Sequence, residues 1–173
     1  LPVALKPDEN EDGCFSGSAI VWHGQLWLLY TGFKQNEGGE AVRQLQCLAS
    51  SRDGVHFIKH GIVIGEKERP ADYCPWDFRD PKLFRRDDKF YCVVAAKKRG
   101  GGGRVLLFES EDLFGWKFVC DLFGRDGKGL MIECPDLRDD MGLLMYSEQF
   151  YPAEGRKFLN VHSSLYRFGA LDV

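Results

Sequence analysis

One pattern recurs three times along this chain: an apolar run, a short polar turn and a second apolar run. In the first copy Ser18-Ala19-Ile20-Val21-Trp22 leads through His23-Gly24 into Gln25-Leu26-Trp27-Leu28-Leu29-Tyr30-Thr31. In the second, Pro81-Lys82-Leu83-Phe84-Arg85 leads through Arg86-Asp87-Asp88 into Lys89-Phe90-Tyr91-Cys92-Val93-Val94-Ala95. In the third, Pro135-Asp136-Leu137 leads through Arg138-Asp139-Asp140 into Met141-Gly142-Leu143-Leu144-Met145-Tyr146. Strand-length apolar runs joined by a tight polar turn read as β-hairpins.

The first two copies carry a matching second half. Val42 to Ser51 runs through Arg52-Asp53-Gly54 into Val55-His56-Phe57-Ile58-Lys59, and Val105 to Ser110 runs through Glu111-Asp112 into Trp116-Lys117-Phe118-Val119. Each complete unit therefore has four strands. No stretch sustains a 3.6-residue period with caps at both ends, so no long helix is expected. Twenty glycines and 13% aromatics suit strands joined by tight turns.

Repeated units of four short antiparallel strands describe the blades of a β-propeller. The anchors Leu26, Phe90 and Leu143 lie further apart than a minimal blade of roughly 40–45 residues, which leaves room for insertions. A β-sandwich is the structural alternative, and the repeat favours the propeller. The expected blades are 14–65, 76–122 and, in part, 129–173. They are too few to close a propeller of four or more blades, so the 173 residues read as a piece of a larger domain. The opening Leu1-Pro2-Val3-Ala4-Leu5, with no initiator Met and no signal layout, fits that expectation.

Composition narrows the partners. The net charge is −3, which gives no pull toward nucleic acid or an anionic membrane, and no apolar run approaches the roughly 20 residues of a membrane span. Cys14, Cys47, Cys74, Cys92, Cys120 and Cys134 form no Cys-x-x-Cys pair and no zinc spacing with a His. Neither a metal nor a cofactor is expected. Reduced, buried thiols are the reading, and they suggest a reducing compartment. His23, His56, His60 and His162 are scattered and read as solvated residues rather than catalysts.

The repeat also places chemistry. Ten residues before Leu26, Phe90 and Leu143 stand Ser16, Asp80 and Glu133, each just ahead of its first apolar strand. The innermost strands of a propeller line its central channel, so equivalent points on them converge. Two carboxylates across one pocket are the working pair of a glycosidase, one a proton donor and the other a nucleophile, base or charge stabiliser. Arg79-Asp80-Pro81 sets a fixed positive charge beside Asp80, which is expected to hold it ionised. Glu133 follows Met131 and Ile132 with no adjacent Lys or Arg, a setting that suits the donor. Taken singly, each triplet is an ordinary turn; the shared position in the repeat makes the case.

Asp12-Gly13-Cys14-Phe15-Ser16-Gly17-Ser18-Ala19, Phe78-Arg79-Asp80-Pro81-Lys82 and Glu133-Cys134-Pro135-Asp136 together resemble glycoside hydrolase family 32. Leu45 to Gly54 is similar to a segment of its bacterial intracellular branch. The resemblance implies a five-bladed propeller, here incomplete, and retaining hydrolysis of terminal β-fructofuranosides such as sucrose, sucrose-6-phosphate or fructan ends. It implies Glu133 as general acid/base, Asp80 as transition-state stabiliser, and Arg79, Phe15 and Ser16 as substrate contacts. It further implies a cytoplasmic sugar hydrolase with no nucleic-acid or membrane partner. The family's nucleophile sits in an Asn-Asp-Pro motif, which does not occur in these residues, and its C-terminal β-sandwich domain is expected to be absent from them. The chain alone is therefore expected to be inactive. Ile132 stands where the family often has Trp.

Lys97 to Arg104 lacks the ending of a phosphate-binding P-loop and reads as a flexible loop; the sharper reading puts Lys98 and Arg99 on the phosphate of a phosphorylated sucrose. Trp76 is expected to pack under its blade, with stacking on a sugar as the alternative. The tail from Gly155 to Val173 carries no motif. The rivals to a hydrolase are a non-catalytic sugar-binding remnant and an unrelated all-β interaction module.

Overall fold

The computed structural model describes residues 2–126, 130–150 and 162–171. Its first sheet holds β1 (Gly13–Trp22), β2 (Gln25–Gln35), β3 (Ala41–Ser51) and β4 (Ile58–Ile64). The second holds β5 (Tyr73–Arg86), β6 (Lys89–Lys98), β7 (Gly103–Ser110) and β8 (Trp116–Gly124). The third holds β9 (Leu130–Arg138), β10 (Leu143–Phe150) and β11 (His162–Phe168). Within each sheet, every strand pairs antiparallel with its neighbour in sequence. The fold is all-β, and the only helix among the described residues is a single 3₁₀ turn at Asp139–Met141.

The turns follow from their residues. His23 and Gly24 both hold positive φ, 50° and 69°, as a two-residue hairpin between twisted strands requires. The two complete sheets close their outer hairpins alike. Ser51 Oγ accepts from Gly54 N–H while Asp53 Oδ1 accepts from Val55 and His56. Ser110 Oγ accepts from Leu113 N–H while Asp112 Oδ1 accepts from Phe114 and Gly115. Short polar side chains thus satisfy the backbone donors that the turn leaves unpaired.

The middle sheet is sandwiched. One core, with Leu29, Leu48, Phe78, Phe90, Phe108 and Trp116, joins it to the first sheet. Another, with Val93, Val105, Leu107, Ile132, Leu137 and Tyr146, joins it to the third. That is why β6 is buried without alternation from Phe90 to Ala96. Each large apolar side chain buried here contributes about 1.5–3 kcal/mol. A polar latch adds to the first junction: Ser18 Oγ on β1 donates to Pro81 O at 2.9 Å and accepts from Leu83 N–H at 2.7 Å.

The first strands run longer than the apolar pattern suggests. Ser16, Asp80 and Glu133 lie inside β1, β5 and β9 rather than ahead of them. The run 97–104 is not a flexible loop, because Lys97 still pairs with Gly103 and only a tight turn separates β6 from β7. Of the tail, 162–168 forms β11, while 155–161 and 172–173 lie outside the described residues.

Candidate active site

Each innermost strand carries one extra residue at a corresponding point. The β1–β2 ladder shifts between Phe15 and Gly17. The β5–β6 ladder shifts between Arg79 and Lys82, and the β9–β10 ladder shifts opposite Met145 and Ser147, between Asp136 and Glu133. Such a bulge bends the strand and turns two neighbouring side chains toward one side. Aligned on their ladders, the extra residues are Ser16, Asp80 and Cys134, each preceded by Phe15, Arg79 and Glu133. Asp80 and Cys134 both adopt positive φ, 60° and 47°, and both precede a proline. This corrects the count from the hairpins by one residue. Asp80 is the counterpart of Cys134, and Glu133 that of Arg79. The third hairpin is shorter from bulge to turn, so counting back from Leu143 overshoots.

All six of these residues line one open cleft of about 810 Å³. The structure thus brings Phe15, Ser16, Arg79, Asp80 and Glu133 together. Arg79 is central. Its Nη1 donates to Asp77 at 2.8 Å, its Nη2 donates to Glu133 Oε1 at 2.9 Å, and its Nε lies 3.9 Å from Asp80 Oδ2. The local sequence suggested that Arg79 serves Asp80 and that Glu133 has no cation. The fold keeps the first pairing at longer range and overturns the second, because the bulge also carries the guanidinium across the cleft to Glu133. Burial pushes the Asp80 carboxyl up from its ordinary value; the Cys134 N–H, donating to Oδ2 at 2.9 Å, and the Arg79 charge oppose that shift without cancelling it.

Two β3 amides hold the β5 bulge in place. Gln46 Nε2 donates to Phe78 O at 2.9 Å, and Gln46 Oε1 accepts from Thr31 Oγ1 at 3.1 Å. Thr31 Oγ1 in turn accepts from the Asp80 N–H at 2.9 Å. Gln44 Oε1 accepts from Phe78 N–H and from Arg79 Nη1, both at 3.3 Å. Gln44, Gln46 and Thr31 are buried, and sequence reasoning missed them. The signal was present: glutamines at 44 and 46 flank Leu45 in a strand that is buried from Gln44 to Ser51, where an unpaired amide is costly.

The rim is aromatic. Phe15 stacks on Phe33 with ring centroids 4.5 Å apart. Trp76 does not pack under its blade. It is 44% exposed and lines the cleft, because Tyr73 pairs with Lys98 and Phe78 with Ala96, so 74–77 loops out between them. Six free cysteines are present. Cys47, Cys74 and Cys92 are buried as expected, Cys14 and Cys120 are only half-buried, and Cys134 is exposed in the cleft, where partial burial of its sulfur and the nearby Asp80 and Glu133 push the thiol up to about 11. Among the described residues no group of three or more His, Cys, Asp or Glu is placed to hold a metal ion. No helix among them is long and apolar enough to cross a membrane.

Comparison with known proteins gives the family. The pattern of the glycosyl hydrolases family 32 N-terminal domain matches residues 1–172. A sucrose-6-phosphate hydrolase of Escherichia coli is 43% identical over 167 residues, covering 92% of this chain and 34% of that protein. A Bombyx mori family 32 β-fructofuranosidase, solved in complex with sucrose, superposes with a TM-score of 0.82 at 38% identity, over 99% of this chain and 37% of that one. The Lactobacillus gasseri sucrose-6-phosphate hydrolase superposes with a TM-score of 0.77 at 31% identity, over 96% and 34%. The chain belongs to glycoside hydrolase family 32. Its sheets are part of that family's five-bladed propeller, and it spans about a third of the length of the curated relatives it matches.

Proposed function

We propose that the cleft binds the terminal fructofuranose unit of sucrose or sucrose-6-phosphate, with Glu133 as proton donor to the leaving oxygen and Asp80 as charge partner of the oxocarbenium-like transition state. The observation that carries this reading is the convergence of Asp80, Glu133 and Arg79 on one cleft between β1, β5 and β9. A carboxylate at the base, a second at the flank and one shared guanidinium suit a reaction that builds positive charge on the sugar while a proton moves to the departing oxygen. Phe15 offers a ring face to the sugar, and Ser16 offers a hydroxyl. The sequence contains no Asn-Asp-Pro segment to supply a nucleophile, so the chain alone binds sugar without cleaving it. Its six unpaired cysteines favour a reducing compartment, which we take to be the cytoplasm.

Calorimetry with fructose and sucrose tests the reading. The folded chain should bind both, Asp80→Asn should weaken binding about tenfold, the loss of one charge-assisted hydrogen bond, and no glucose should be released. A folded sample that binds neither sugar overturns it.

A further inference from the structure

Blade two carries a cluster of cations that the cleft chemistry does not use. The looped-out segment 74–77 lies opposite Lys97, the residue between Ala96 and Lys98 on β6. Arg69 Nη1 donates to Tyr73 O at the start of that segment. The Arg99 guanidinium lies over the Trp76 ring, 5.9 Å from its centroid. Three basic residues from two stretches of chain therefore flank one segment that reaches the cleft mouth. The Cys74 thiol at its root registers all three: burial and Asp77 push it up, and Arg99, Lys97 and Arg69 push it down.

Their neighbours are neutralised. Lys98 pairs with Asp72 at 3.3 Å, and Arg104 is taken up by Asp126 and the Arg125 carbonyl. Among the described residues, Arg69, Lys97 and Arg99 have no carboxylate within ion-pair distance, and the buried Nε of Arg69 has no hydrogen-bond partner. Glu66 acts on Arg69 only at longer range.

We propose that Arg69, Lys97 and Arg99, set around Trp76, form the subsite that receives the phosphate of a phosphorylated disaccharide. This rests on the reading of the cleft as a fructofuranoside site. The leaving group lies on the donor side of the scissile bond, hence outward from Glu133 toward the mouth. An aromatic face with guanidinium forks beside it suits a sugar ring bearing a phosphate dianion, since Arg matches phosphate oxygens in pairs. A neutral disaccharide would use Trp76 and leave the cations idle.

The test compares sucrose with sucrose-6-phosphate on the folded chain and on the double variant Lys97→Gln, Arg99→Gln, both at exposed or half-exposed positions. The wild-type chain should prefer the phosphate ester by about tenfold or more, a preference that shrinks with added salt. The double variant should keep sucrose binding and lose the preference. Equal binding of both sugars by the wild-type chain overturns the proposal and leaves the fructofuranoside reading standing. So does a preference that survives the double substitution. If neither sugar binds, the fructofuranoside reading fails, and inorganic phosphate decides the subsite. Phosphate should shift the Trp76 indole and Arg99 NMR signals in the wild-type chain, and unmoved signals overturn the proposal.

Discussion

The backbone N–H of Cys134 donates to Oδ2 of Asp80 at 2.9 Å, and both residues hold the left-handed conformation at matching bulges of neighbouring sheets. Neither is glycine, so each position carries strain of order 1–3 kcal/mol that its surroundings must hold. Cys134 thus acts on Asp80 chiefly through its main chain, with a smaller contribution from its thiol. Cys134→Ala should leave fructose affinity within about twofold, because the N–H remains. A larger loss in calorimetry would give the sulfur itself the main role.

The same chain of contacts makes Thr31 a positioning residue. Thr31→Val removes the acceptor of the Asp80 N–H and the donor to Gln46 in a fully buried place. An orphaned buried donor costs about 1–3 kcal/mol, which urea denaturation should show as a lower midpoint with an unchanged slope. Thr31→Ser, which keeps the hydroxyl, should recover most of the loss. If Val is as stable as the parent, the bulge is held by packing instead.

Asp80 also sets a pH dependence. Burial raises its carboxyl above the ordinary value of 3.8, so the folded chain holds that proton more tightly than the unfolded chain. Its contribution to stability is therefore present at low pH and lost as pH rises through the folded value. Asp80→Asn should be more stable than the parent near about pH 7, and the gap should close near about pH 4. Stability that is more favourable for Asp80 at neutral pH would reverse the assigned cause. Charge kept at a binding site against stability is a common cost of function.

Gly103 tests the second junction. A Cβ there would stand 2.6 Å from Ile132 N and 2.8 Å from its Cγ1, so β7 and β9 approach as closely as they do because no side chain intervenes. Gly103→Ala should cost about 1–3 kcal/mol in thermal or urea unfolding, the range for overpacking a filled interior. A neutral outcome would mean that the third sheet is free to shift.

The hairpins were legible because turn residues and apolar runs are local signals, as at His23-Gly24 and Asp87-Asp88. The convergence of the cleft was legible because the chain repeats itself. The pairing of Arg79 with Glu133 was not, since a bulge redirects a side chain by a backbone distortion that leaves no mark in residue type. Trp76 was misread for a related reason: its placement follows from an irregular register between β5 and β6, fixed only when the two strands pair. The buried glutamines looked like ordinary polar residues until a sheet covered both of their faces.

Because Phe15, Arg79 and Glu133 come from three separate sheets, the cleft exists only while those sheets are docked. A substitution that loosens a junction would leave the ladders within each sheet intact. A chain with loosened junctions would retain its far-ultraviolet signature yet lose the sugar binding proposed for the cleft. Ligand affinity here is thus a gauge of how the sheets seat on one another, and a more sensitive one than any measure of strand content.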